Sequence, residues 1–276
     1  MTRGPGLDVR RIRRNFSHHA DDYDRYARVQ KRVVERLVGL LRERGPLGGR
    51  VLEVGAGTGR LSLTLIDAFP ELRPVVSDLA HDMTRLSLGR VPGAAGLDGD
   101  AQALPLRSDR FALICSSSVY QWMNSLASAF AESFRVLAPG GTFAFALFGE
   151  GTLFELRDSH RRAVAEGGAL RASHVQQFPD PEQVRQTLEE TGFEQIRILS
   201  EDEVEYHADV AALLHGLKAI GAQNAACGRP AGMASRRVMG RMAEIYRQHY
   251  GEEEGLPATY QVIYGLASKP NGREGR

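Results

Sequence analysis

The chain has 276 residues, 42% of them apolar and 25% charged, with a formal net charge of +1. These values exclude a disordered chain and a protein that is basic as a whole, so no nucleic-acid partner is expected, although local clusters such as Arg10, Arg11, Arg13 and Arg14 survive the average. Cys115 and Cys227 are too few for a disulfide framework and lack Cys-x-x-Cys spacing, no metal site is expected, and no apolar run is long enough for a signal peptide or a membrane span; a soluble cytoplasmic protein is the expectation.

In chain order, Val33, Val34, Leu37, Val38, Leu40 and Leu41 recur at helical spacing within residues 15–44, and GPLGG then stops the helix. From residue 50 the pattern alternates. Apolar RVLEVG, PVVSD, FALICSS and PGGTFAFALF read as strands; RLSLTLIDAF, AHDMTRLSLGR and LASAFAESFRVL between them read as helices. Strands alternating with helices imply right-handed βαβ crossovers and a parallel sheet covered on both faces. After residue 148 the alternation weakens. Residues 151–177 read as helix and loop, 181–191 as helix, FEQIRILSEDEVEYHA as an exposed antiparallel pair, DVAALLHGLKAIGA as helix and ATYQVIYGLASK as a final strand.

The most informative stretch is VLEVGAGTGRLSL, a strand followed by three glycines in five residues and then a helix. Such a turn lets the backbone approach a ligand at the carboxyl end of a parallel sheet. A dinucleotide fingerprint wants its last glycine one position later, where this chain has Arg60, so a nucleoside fits better than NAD. Asp78 closes the second strand, where a carboxylate either takes both hydroxyls of a ribose or caps the next helix. Asp100 follows the third strand, where it either accepts from an adenine amino group or satisfies nearby backbone N–H groups.

The order Glu53, glycine turn, Asp78, Asp100, with FRVLAPGG leading into TFAF, resembles the class I S-adenosylmethionine-dependent methyltransferases. The resemblance implies a Rossmann-like α/β fold, with a mostly parallel seven-stranded sheet, helices on both faces and an antiparallel C-terminal strand. It also implies S-adenosyl-L-methionine as cofactor. Gly55, Gly57 and Gly59 would then line its methionine and ribose part, Glu53 would orient the loop through the methionine ammonium, Asp78 with Leu79 would hold the ribose, and Asp100 with Ala101 would face the adenine; Ser116 and Gln121 complete the cofactor set.

The flanks narrow the resemblance. Phe16, Ala20, Tyr23, Asp24, Ala27 and Gln30 are similar to the N-terminal signature of the malonyl-acyl-carrier-protein O-methyltransferases of biotin synthesis. SSSVYQW, GEGTLFELR, LLHGLKAIGA and TYQVIYGLASKP agree, so the likeness runs through nearly the whole chain. Two departures stand out: Ser117 and Tyr120-Gln121-Trp122 replace Asn and Leu-Gln-Trp, and Gln176-Gln177-Phe178 replaces Asn-Arg-Phe after His174. The resemblance implies methylation of the free carboxylate of a malonyl thioester on acyl carrier protein; methylation of a free small acid of the aconitate kind is the alternative. An acceptor already ionised at pH 7 needs no general base. A site selecting it calls for an Arg fork or a Tyr and His pair, so Arg157, Tyr23 and His174 are the acceptor candidates. A carrier protein is acidic, and Arg10–Arg14, Arg28 with Lys31 and Arg32, Arg161 with Arg162, and Arg236 with Arg237 are the candidate docking cations. The expected organisation is cover helices over residues 1–45 and a methyltransferase domain over 46–276, with helical substrate-cap insertions around 150–180 and 208–250.

Overall fold

The computed structural model describes residues 7–18, 23–167, 178–222 and 236–272, apart from the side chains of His18 and Tyr23. Seven strands, β1 (Gly49–Val54), β2 (Leu72–Asp78), β3 (Ala95–Asp98), β4 (Phe111–Ser117), β5 (Leu137–Phe148), β6 (Glu194–His207) and β7 (Leu256–Ser268), form one sheet in the order β3-β2-β1-β4-β5-β7-β6. β1 pairs in parallel with β2 and β4, β2 with β3 and β4 with β5, whereas β7 runs antiparallel to both β5 and β6. The order reverses between β1 and β4, which opens a crevice at the carboxyl ends of those two strands.

The N-terminal segment is three helices rather than one: α1 (Val9–His18), α2 (Tyr23–Tyr26) and α3 (Arg28–Arg42). α3 turns Val29, Val33, Val34, Leu37, Val38, Leu40 and Leu41 inward, each burial worth roughly 2 kcal/mol in transfer free energy. α3 is thus a core layer of the sheet's first face, where it meets α4 (Arg60–Ala68), and only α1 and α2 lie beyond it. α5 (His81–Arg90) packs on β2 and β3. The opposite face carries α6 (Leu126–Val136) and, next to it, α8 (Pro181–Thr191), over an aromatic cluster of Tyr120, Phe130, Phe143, Phe145 and Phe193. α7 (Phe154–Glu166), α9 (Val210–Ala219) and α10 (Arg236–Tyr250) supply the late helical material, and α7 packs on α10.

The stretch expected to be an antiparallel pair is a single strand, β6. No turn chemistry interrupts it, and its partner is β7, about fifty residues on. Along it runs a charge ladder. Arg28, Arg32 and Arg36, one helical turn apart on α3, face Glu205, Glu203 and Glu201, two residues apart on β6, at 3.9, 2.5 and 2.6 Å. A helical turn rises about 5.4 Å and two strand residues about 6.6 Å, so the two repeats match over three rungs. Among the described residues no helix is long and apolar enough to cross a membrane.

Candidate functional site

β1 delivers Glu53 to the floor of the crevice, where its carboxylate accepts from both the backbone N–H and the hydroxyl of Ser62 in the first turn of α4. This caps a helix whose own N-cap is a glycine with no side chain to offer. Glu53 is 3% exposed. Burial pushes its carboxyl up to about 8, against the pull of the Ser62 hydrogen bonds, and Asp78 adds to the rise.

The three glycines that follow all have left-handed backbones, with φ of 73°, 53° and 81° at Gly55, Gly57 and Gly59. Their surroundings differ. A Cβ on Gly55 would stand 2.3 Å from Val119 Cγ2, and one on Gly59 2.8 Å from Val91 Cγ2, whereas one on Gly57 would meet nothing within 4 Å. Gly55 and Gly59 are therefore fixed by packing inside the protein, and Gly57 is the position open to a ligand. Asp78, at the end of β2, accepts from Gly57 N–H at 2.9 Å and Ala80 N–H at 2.8 Å, with Leu79 N–H adding a third donor. Burial raises its carboxyl while these hydrogen bonds oppose the rise. Asp78 thus ties the glycine turn to the segment that leads into α5. Asp100 accepts from Gln102 N–H at 2.9 Å beside buried Ala101, so this carboxylate serves its turn whatever else it binds.

A methyltransferase-domain family model matches residues 52–145, the span that contains all of these groups. The malonyl-[acyl-carrier protein] O-methyltransferase of Geobacter sulfurreducens is 45% identical over 95% of this chain and 100% of its own length. The chain belongs to that family. The enzyme of the same name from Methylococcus capsulatus is 37% identical over 92% of this chain and 92% of its own. Among solved structures, the YcgJ protein of Bacillus subtilis matches 86% of this chain and 100% of its own with a TM-score of 0.59 at 16% identity. Haemonchus contortus phosphoethanolamine N-methyltransferase 2, solved with S-adenosyl-L-methionine, matches 86% of this chain and 53% of its own with a TM-score of 0.52 at 20% identity. These two likenesses establish the fold.

The family's N-terminal signature makes the roof of the crevice. Asp24 in α2 accepts from Thr58 Oγ1 of the glycine turn at 2.9 Å and from Arg90, at the end of α5, at 2.6 Å. Ala27, Gln30 and Lys31 complete the cover over Gly55, Gly57 and Ser117, and the cavity left beneath is about 50 Å³. Phe16 of α1 meets Trp122 edge-on at 5.7 Å. Tyr23 opens α2, but its side chain lies outside the described set, and His174 lies outside the described residues.

Ser116 does not face the crevice. Its hydroxyl donates to the Val54 carbonyl across the β4–β1 pair at 2.8 Å and is fully buried; Ser117, one residue on, lines the cavity. Gln121 is buried in the short 3₁₀ turn Tyr120–Trp122. Arg157 stands in the first turns of α7, which is stapled to β7 by Thr259 donating its hydroxyl to Glu155. Arg157 donates to the Glu150 carbonyl just past β5, has no carboxylate within ion-pair distance among the described residues, and leaves its buried Nε without an acceptor. Burial lowers its pKa, so this guanidinium is held partly desolvated.

Of the candidate docking cations, Arg32 is tied into the β6 ladder at 2.5 Å, Arg28 stands 3.9 Å from Glu205 and is 71% exposed, Lys31 lines the crevice, and Arg161 and Arg162 both turn onto Asp158. Sequence reading missed Thr58 and Arg90 as partners of Asp24; the bare Asp in the signature was the only signal, because its partners lie 34 and 66 residues away.

Proposed function

We propose that this chain transfers the methyl group of S-adenosyl-L-methionine to the free carboxylate of a malonyl thioester on acyl carrier protein, giving the methyl ester that opens pimeloyl synthesis for biotin. The observation that carries the reading is the 45% identity across the whole chain to a protein of that name, cap helices as well as cofactor crevice.

The crevice fits the donor in chemistry. Gly57 leaves room for backbone contact, the Asp78 carboxylate sits where a ribose diol would be gripped, and the Glu53 carboxyl is placed for an ammonium group. When bound, the donor supplies an electrophilic sulfonium methyl. About 50 Å³ holds one or two waters, so the roof built on Asp24, Ala27 and Gln30 lifts to admit the donor and then closes over it. Closure excludes water from a reaction whose opposite charges cancel, and no side chain has to remove a proton because a malonyl carboxylate is already ionised at pH 7. Arg157 is the acceptor clamp in this reading: a cation already stripped of much of its water, with no carboxylate of its own, pairs bidentately with an incoming one.

Mass spectrometry of malonyl-loaded carrier protein incubated with enzyme and donor, beside malonyl-coenzyme A and free malonate, tests the assignment. A methyl-sized gain that is fastest on the carrier is expected. Faster transfer to free malonate would overturn it.

A further inference from the structure

A second cavity lies outside the crevice. It measures about 720 Å³ and lies between α2, the start of α3, α9 and the carboxyl end of β6, at the same end of the sheet as the glycine turn. Gln30 lines both cavities, so the inner end of the large one is a single side chain from the crevice. Its volume falls within the range of about 300–1,000 Å³ seen for sites that enclose a small molecule.

We propose that this cavity takes the phosphopantetheine arm of the carrier protein, with Arg25 and Arg28 as its cations and Gln30 as the side chain it shares with the crevice. The proposal rests on the methyl-transfer reading above. The arm has a phosphodiester at its outer end, a dimethyl-substituted carbon, two amides and the thioester at its tip, and the walls offer a partner of each kind. Arg25 is exposed and has no carboxylate partner among the described residues; it lies over the Tyr26 ring at 5.7 Å. Arg28 is 71% exposed and only loosely held, 3.9 Å from Glu205. Together they form a cationic pair suited to the phosphodiester. Leu213 and Leu217 of α9, with Ile220 just past its end, make an apolar wall for the dimethyl carbon. His207 has a side chain 13% exposed and an Nε2 with no hydrogen-bond partner, 3.9 Å from Glu205, a group able to meet an amide. The two acids on the lining are already engaged: Asp209 caps α9 by accepting from Ala212 N–H at 2.7 Å, and Glu205 faces Arg28 and His207.

The test uses the full-length protein. Ala212 is an exposed lining residue, so Ala212→Trp narrows the cavity without disturbing the core. The expected result is a rise of about tenfold or more in KM for malonyl-carrier protein, with S-adenosyl-L-methionine affinity unchanged and binding of pantetheine 4′-phosphate alone, followed by NMR without donor, lost. The double variant Arg25→Ala, Arg28→Ala should weaken the phosphate-bearing substrate while sparing malonyl-N-acetylcysteamine, which has no phosphate. A KM within about twofold of wild type in both variants, with the fold intact by circular dichroism, would overturn the assignment of the cavity. If pantetheine 4′-phosphate binds the wild type and not Ala212→Trp, yet no malonyl thioester is methylated, the assignment of the cavity stands and the methyl-transfer reading fails.

Discussion

Replacing Glu53 by Gln isolates the charge on the crevice floor. The side chain is 3% exposed, and burial lifts its pKa from 4.5 to about 8. The folded chain therefore keeps a proton that the unfolded chain releases above about 4.5. Glu53's contribution to stability is complete below that pH and is lost as pH rises through about 8, because each pH unit in that window removes about 1.4 kcal/mol. Over the whole window the loss approaches about 5 kcal/mol, a large part of the stability of an ordinary domain. Gln keeps an oxygen to accept from the Ser62 N–H and hydroxyl and has no charge to bury. Urea denaturation of donor-free protein from pH 5 to 9 should show the wild type losing stability faster than Glu53→Gln, with a gap of several kcal/mol opening by pH 9. An ammonium beside Glu53 would favour its ionised form, so donor binding at pH 7 should release close to one proton from wild type and none from the variant, read by calorimetry in two buffers. Parallel stability curves would refute the reasoning, since every other titrating group is common to both proteins.

The glycines separate packing from binding. Gly55→Ala drives a methyl group into Val119 at a left-handed position and should cost about 2–4 kcal/mol, lowering the melting temperature, whereas Gly57→Ala carries only the left-handed cost of about 1–2 kcal/mol and should instead weaken donor binding. Thermal melts and calorimetry on both variants decide this, and the reverse assignment of effects would sink it. Arg157→Ala should impair use of the malonyl acceptor far more than donor affinity, and Asp78→Ala the reverse; equal loss of donor binding in both would contradict the division of roles.

The glycine turn and its two following acids were legible because a left-handed backbone and a carboxylate at a strand end are local requirements that residue type reveals directly. What each glycine meets was not, since Val119 and Val91 arrive from 64 and 32 residues away. Where the Ser116 hydroxyl points is a matter of parity. A run of three serines gives no hint which of them points into the sheet, and a shift of one residue exchanges a sheet hydrogen bond for a crevice wall. How tightly each candidate cation is held was hidden for a related reason: the glutamates that face Arg28 and Arg32 lie 177 and 171 residues further on. The cover over residues 1–45 was expected, but its division was not, because α1 and α2 are short helices whose meaning comes from what they cover. The family likeness of the signature identified their residues before the contacts of Asp24 explained them.

The charge ladder has a consequence for how the protein behaves in a crowded solution. β6 is fourteen residues long and forms one edge of the sheet, with β7 on one side only. A strand of that length with an open edge invites a second copy to extend the sheet and begin aggregation. Here five of its fourteen residues are acidic, and they include the ladder glutamates tied to α3. A second copy laid along it would set like charges opposite one another, and glutamates already bound by arginine could not turn away to relieve the repulsion. The rungs that fasten α3 to the sheet thus also keep the strand facing outward as an unwelcoming surface for its own kind.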